Sequence, residues 1–225
     1  MMPSASRTVS PMCMKKLFAH YRRLFSDHKQ WLLIAMGWFL LGGGIGVAVY
    51  ALWPELVMSF LKMLKEKFLQ DKTEGFSEAT TIFLHNFLSS AICLLLGVLV
   101  GLAPVFALVA NGFAMGCVSA VMLFGAKHSF SLSLLVLAAA IVPHGIIELP
   151  TIILCAAIGL KIGWAWLGSR AEGKRIAVLK DNYIAGLKAL PGIALLLALA
   201  ALIETFVTPH VILLVVGPTP LDLVH

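Results

Sequence analysis

Charge is what this sequence lacks. Only 12% of its 225 residues are Asp, Glu, Lys or Arg, about half the share in an average soluble domain. Hydrophobic residues make up 60%, and mean hydropathy is +0.96. So little charge excludes a large water-soluble core with a solvated surface, and the composition is that of a polytopic membrane protein. The net charge of +6 does not indicate nucleic acid. The basic residues flank apolar runs, which is how orientation is encoded in a membrane protein, and no zinc-finger spacing or basic–aromatic interleaving is present.

Cysteine is also scarce. Cys93, Cys117 and Cys155 lie within apolar runs, Cys13 lies near the amino terminus, and no C-x-x-C occurs. A disulfide framework or thiolate metal centre is therefore not expected, and the buried cysteines read as small apolar packing residues. H-E-x-x-H, G-x-S-x-G and the glycine-rich phosphate loop are all missing. No catalytic residue is assigned, no cofactor is expected, and the chain is read as a non-enzyme.

Long apolar runs are abundant. A span needs about 20 apolar residues, and five are predicted: Trp31–Trp53, Thr81–Ala103, Pro104–Gly125, Leu132–Leu160 and Leu187–Val211. Together they define a transmembrane domain over 31–215, between a basic segment at 1–30 and a short tail at 216–225. The first run is too long for a cleavable signal, and residues 1–13 read as disordered. With the amino terminus in the cytoplasm, twelve basic residues fall inside and five outside. That asymmetry predicts a plasma-membrane (inner-membrane) protein with its amino terminus inside and its carboxyl terminus outside.

The segment after the first span, PELVMSFLKMLKEKFLQDK, carries Val57, Phe60, Leu61, Leu64 and Phe68 at helical spacing, with Lys62, Lys65 and Glu66 off that stripe. It predicts an amphipathic helix on the outer membrane surface, and docking of a partner is the sharper alternative. A similar helix is expected in GSRAEGKRIAVLKDNYIAG. Glycines recur as Gly42-Gly43-Gly44 with Gly46, Gly97-x-x-x-Gly101, Gly112-x-x-x-Gly116 and Gly159-x-x-x-Gly163. Such small residues let helices approach closely in lipid. Packing within one chain is the favoured reading, and a homodimer seam is the alternative.

The chemistry concentrates in PHGIIELPT, Pro143–Thr151. His144 and Glu148 are four residues apart and share a helical face. Pro143, Gly145 and Pro150 interrupt or kink the fourth span, and a re-entrant hairpin is the alternative to a full crossing. Backbone of that kind is tolerated at depth only against protein or a wet cavity. Other spans supply His85 and Asn86, then Asn111 beside Gly112, then Glu204 with Thr205, Thr208 and Pro209 close behind. An ionised acid at the bilayer centre costs about 2.5–3.5 kcal/mol on insertion scales. Interhelical polar contacts return only about 0.6 kcal/mol on average. A site that binds or passes a proton, cation or small polar solute is therefore preferred over structural glue. His144, Glu148 and Glu204 are also candidate metal ligands, a weak signal by spacing alone.

The ordered set of His85-Asn86, GVLVGLAPVFALVANG (Gly97–Gly112), PHGIIELP (Pro143–Pro150) and ALIETFVTP (Ala201–Pro209) resembles the stage II sporulation protein M family over roughly residues 30–215. The resemblance implies five spans with an inside amino terminus. It also implies shared polar positions at Asn86, Asn111, Gly112, His144, Glu148 and Glu204. Where this chain has His85-Asn86 the family often has two asparagines, so no role for His85 carries over. The founding member's role, recruiting peptidoglycan-degrading enzymes, implies a membrane scaffold with envelope partners as the alternative function.

Overall fold

Hydrocarbon offers no water to backbone N–H and C=O groups, so each apolar run must close its own hydrogen bonds by coiling. A computed structural model of the chain describes residues 26, 28–70, 75–99, 101–125, 129–168 and 175–217. Helix α1 spans Lys29–Leu52, α2 Pro54–Gln70 and α3 Phe76–Leu95, which tightens into a 3-10 turn at Leu96–Val98. Helix α4 covers Leu102–Ala120 and loosens into a π turn over Val121–Gly125. Then come α5, Phe130–Gly168, α6, Arg175–Phe206, and α7, Thr208–Val216. Five segments are long and apolar enough to cross a bilayer: Lys29–Leu52, Phe76–Val98, Leu102–Gly125, Phe130–Ala165 and Ile176–Val216. They match the five runs read from the sequence, and the chain is an all-α, multi-pass membrane protein.

The boundaries differ where local chemistry outweighs hydropathy. Helix α3 begins earlier than Thr81 because its polar first turns satisfy themselves. Thr80 Oγ1 donates to the Phe76 carbonyl at 2.7 Å and Thr81 Oγ1 to that of Ser77 at 3.1 Å. Between the second and third spans the chain turns at Gly101, in the left-handed region at φ 71°, rather than at Pro104. Pro104 lies in the first turn of α4, where its missing N–H has no helical partner to lose. Helix α5 is a single 39-residue helix containing Pro143 and Pro150. At about 1.5 Å per residue it is roughly 57 Å long, one continuous helix long enough for a full crossing and not a hairpin. The helix expected before the last span is the opening of α6 itself. Tyr183 there donates to the Leu95 carbonyl at 2.5 Å, tying α6 to the end of α3.

The carboxyl-terminal half of α5 is the buried axis of the bundle. Leu154, Cys155, Ile158 and Ile162 cluster with Leu94 of α3 and Ala189, Ile193 and Leu197 of α6. The opposite face, Ile153, Ala156, Ala157 and Leu160, meets Ala35 and Phe39 of α1 and Leu108 of α4. A helix apolar all round belongs in such a place. Outside the bundle, Leu33, Leu40, Leu102, Phe106, Leu195 and Leu214 are exposed, forming an apolar surface suited to lipid.

The glycines work inside the chain. A methyl group on Gly112 would collide with the Phe39 carbonyl, and one on Gly116 with that of Gly43. Additions at Gly42 and Gly46 would strike the backbone of Val109 and Phe113. Helices α1 and α4 therefore dock backbone to backbone. Gly97 and Gly159 make the same kind of seam between the turn after α3 and α5.

The ends alternate as an up-and-down order requires. His28, just before α1, approaches Lys161 of α5 at 3.4 Å, and the Trp31 and Trp164 rings lie 6.2 Å apart. At the other end Phe76 meets Phe206, at 5.1 Å. Helix α2 turns part of its stripe inward. Val57 is buried, and the Phe60 ring packs 5.9 Å from Phe113 of α4. Leu56, Met58 and Met63 are exposed. Most of the basic amino-terminal segment, together with Lys127, Arg170, Lys174 and the end of the tail, lies outside the described residues.

Candidate intramembrane site

Helical spacing puts His144 and Glu148 one turn apart on α5, and the last turn of α6 carries Glu204 to meet them. One ring nitrogen of His144 and one carboxylate oxygen from each glutamate all lie within 4.8 Å of one another. Asn86 of α3 donates its side-chain amide to Glu148 Oε1 at 2.9 Å. Glu148 Oε2 is buried and has no hydrogen-bond partner. Four segments of the chain thus converge on one point.

Pro209 creates the fourth segment. It has no N–H for the Thr205 carbonyl, so the last span stops as α6 at Phe206 and restarts as α7 at Thr208. At this break Thr208, which is buried, lies 3.3 Å from His144 Nδ1. Its hydroxyl also donates to the Ile203 carbonyl at 3.3 Å. Thr205 Oγ1 is buried beside it with no partner.

Electrostatics make the cluster costly. Two acids and an imidazole share a few ångströms, while α3, α4, α7, the stretch 130–160 of α5 and the stretch 191–206 of α6 contain no lysine or arginine. Like charges this close cannot both remain ionised in a medium of low dielectric unless a proton or cation sits between them.

A cavity of about 70 Å³ adjoins the cluster, lined by His85, Asn86, Ser89, Ser90, Cys93 and Asn111 among others. One water molecule needs roughly 10–15 Å³ of such space, so this is room for several. Ser90 Oγ, on its wall, is buried without a protein partner. Asn86 belongs to both places, bonding to Glu148 and facing the cavity.

A model of the stage II sporulation protein M family matches residues 35–209. The chain belongs to this family. No curated protein and no solved structure matches it. The family match runs from α1 to Pro209, so it takes in every residue of the cluster and the cavity wall.

In this member of the stage II sporulation protein M family, six polar positions were candidates from sequence, and the structure sorts them into two groups. His144, Glu148, Glu204 and Asn86 come together. Asn111 and His85 line the cavity, and the Asn111 amide turns back onto the Ala107 carbonyl of its own helix at 2.8 Å. Gly112 serves helix docking, Gly145 lies buried in α5 next to His144, and Pro143 and Pro150 lie within that continuous helix. Sequence reasoning noticed Thr208 without assigning it to the site, and it missed Ser89, Ser90 and Cys93. The signal was helical spacing. Thr208 follows Glu204 by four, Ser89 follows His85 by four, and Ser90 and Cys93 extend the face of Asn86.

Proposed function

We propose that this chain is a channel- or transporter-like protein of the plasma membrane. His144, Glu148 and Glu204 bind and pass a proton, a cation or a small polar solute, and no bond of the ligand is made or broken. The observation that carries this reading is the convergence of three titratable side chains within 4.8 Å inside an apolar bundle. The cavity that shares Asn86 with them has room for several waters, and the broken last span supplies backbone of the kind found around midplane sites. Positive residues concentrated before α1 and around α6 support an inside amino terminus and an outside carboxyl terminus.

The test is flux into proteoliposomes holding purified protein, with a pH dye and with ion-selective dyes. Wild type is expected to conduct, and E148Q and E204Q are expected to lose conduction while keeping their elution profile. Full flux in both variants would sink the reading.

A second reading follows from family membership and from the exposed Leu56, Met58 and Met63 of α2. In it the chain is a scaffold, alone or as a homodimer, whose outer helix docks a peptidoglycan-remodelling partner. Charge reversal at Lys62, Lys65 and Lys67 would then abolish pull-down of that partner and leave flux untouched.

A further inference from the structure

We infer that the ligand of this site is a divalent first-row transition-metal ion, held by His144, Glu148 and Glu204, with Thr208 and Asn86 as positioning residues. This inference rests on the passage reading above and narrows it to one class of cargo.

Hydrogen-bond directions carry the argument. The Thr208 hydroxyl has one proton, and it goes to the Ile203 carbonyl. Toward His144 the same oxygen is then free to accept, which favours the tautomer with the ring proton on Nδ1. A neutral imidazole protonated at Nδ1 presents its lone pair at Nε2, the form a metal takes. Metal-binding histidines are typically fixed this way, with the second nitrogen donating to an oxygen.

Glu148 is arranged alike. Asn86 holds Oε1 at 2.9 Å, while Oε2 is buried and unclaimed. Each of these two α5 residues thus has one atom held by a neighbour, and Glu148 keeps a second, buried atom with no partner. Glu204 completes a set of one nitrogen and two oxygens drawn from two helices.

Charge selects the ion. Two carboxylates and a neutral imidazole carry two negative charges, and Glu78 adds to the negative field at Glu204, which a dication offsets better than a single monovalent cation. Imidazole with carboxylates suits Zn²⁺, Mn²⁺ and their neighbours, whereas Ca²⁺ and Mg²⁺ prefer oxygen alone. Ligand atoms bonded at about 2.1 Å around a tetrahedral ion stand roughly 3.4 Å apart. Binding requires the present separations, up to 4.8 Å, to shorten to that distance. Pro209, by breaking the last span beside Glu204, supplies a place where α6 and α7 adjust independently.

The experiment uses full-length protein in nanodiscs, stripped with chelator and titrated with ZnCl₂, MnCl₂ and MgCl₂, with bound metal measured by elemental analysis. One equivalent of Zn²⁺ or Mn²⁺ per chain is expected, with no comparable uptake of Mg²⁺. E148Q and E204Q should each weaken binding at least tenfold. T208V and N86A should weaken it by about 10–100-fold, the usual effect of removing an outer-shell partner, and T208S should restore it. Co²⁺ loaded into wild type should give a visible absorption spectrum that shifts in T208V and returns in T208S, a response that a purely structural role would not produce. Wild type that takes up no more Zn²⁺ or Mn²⁺ than the E148Q/E204Q double variant overturns the metal site. Flux lost in E148Q without any metal binding overturns the metal site and leaves the passage reading standing. Stoichiometric metal with no flux keeps the site and removes passage.

Discussion

Exchanging Glu148 for Gln separates a functional acid from structural glue by the sign of a stability change. Gln keeps the side-chain shape and keeps an oxygen where Asn86 donates at 2.9 Å. What it removes is a charge. An ionised acid at the bilayer centre costs about 2.5–3.5 kcal/mol. Its interhelical contacts return about 0.6 kcal/mol on average and at most about 1.7. Gln keeps the Asn86 bond but its amide has a burial cost of its own, so E148Q should be more stable than wild type by at most about 3 kcal/mol for an ionised acid, and close to unchanged for a neutral one. Neither case is destabilising. A site retained for function is expected to behave this way, since sites of this kind sacrifice stability for chemistry. The assay is unfolding of purified protein in bicelles by steric trapping, or thermal melting followed by size exclusion, with flux measured on the same preparation. An E148Q variant destabilised by more than about 2 kcal/mol would refute the reasoning, because the acid would then be holding helices together. A variant that is stable and fully active would refute it from the other side.

Three further outcomes are expected. G112A should destabilise the α1–α4 seam by about 1–3 kcal/mol, the usual cost of overpacking, because its methyl meets the Phe39 carbonyl. G44A, with nothing within 4 Å, should be neutral or slightly stabilising, and a melting comparison of the pair checks this. Cys117 and Cys155 are fully buried and away from the cavity wall, so a membrane-permeant maleimide should leave them unmodified in folded protein and label them in denaturant. Alkaline phosphatase fused after Gly217 should be active and the same enzyme fused before Lys29 inactive. The reverse pattern would invert the proposed orientation.

Helix count and order were legible because a bilayer imposes a length on every crossing, and a run of apolar residues reports that length directly. The grouping of His144 with Glu148 was legible for a related reason, since the helical repeat places residues four apart on one face. Gly101 was harder to read. Its left-handed turn depends on how α3 and α4 dock onto α5, and Pro104 nearby is the louder signal although its missing N–H does no harm there. Hydropathy by itself extended neither α6 back to Arg175 nor α5 on to Gly168, because the helical hydrogen-bond ladder runs past the apolar stretch that marks a span.

The sequence by itself determined that this is a five-span helical membrane protein with costly polar residues in its interior, because transfer free energy and helix periodicity are local properties of the chain. Only the tertiary structure decided which of those residues meet. Asn86 and Glu148 are 62 positions apart, and His144 and Thr208 are 64 apart. Their contact depends on how closely helices can approach, which the glycine seams set, and on where the last span breaks. The same packing placed Asn111 and His85 on the cavity wall, a distinction invisible in a string where all six polar residues look alike.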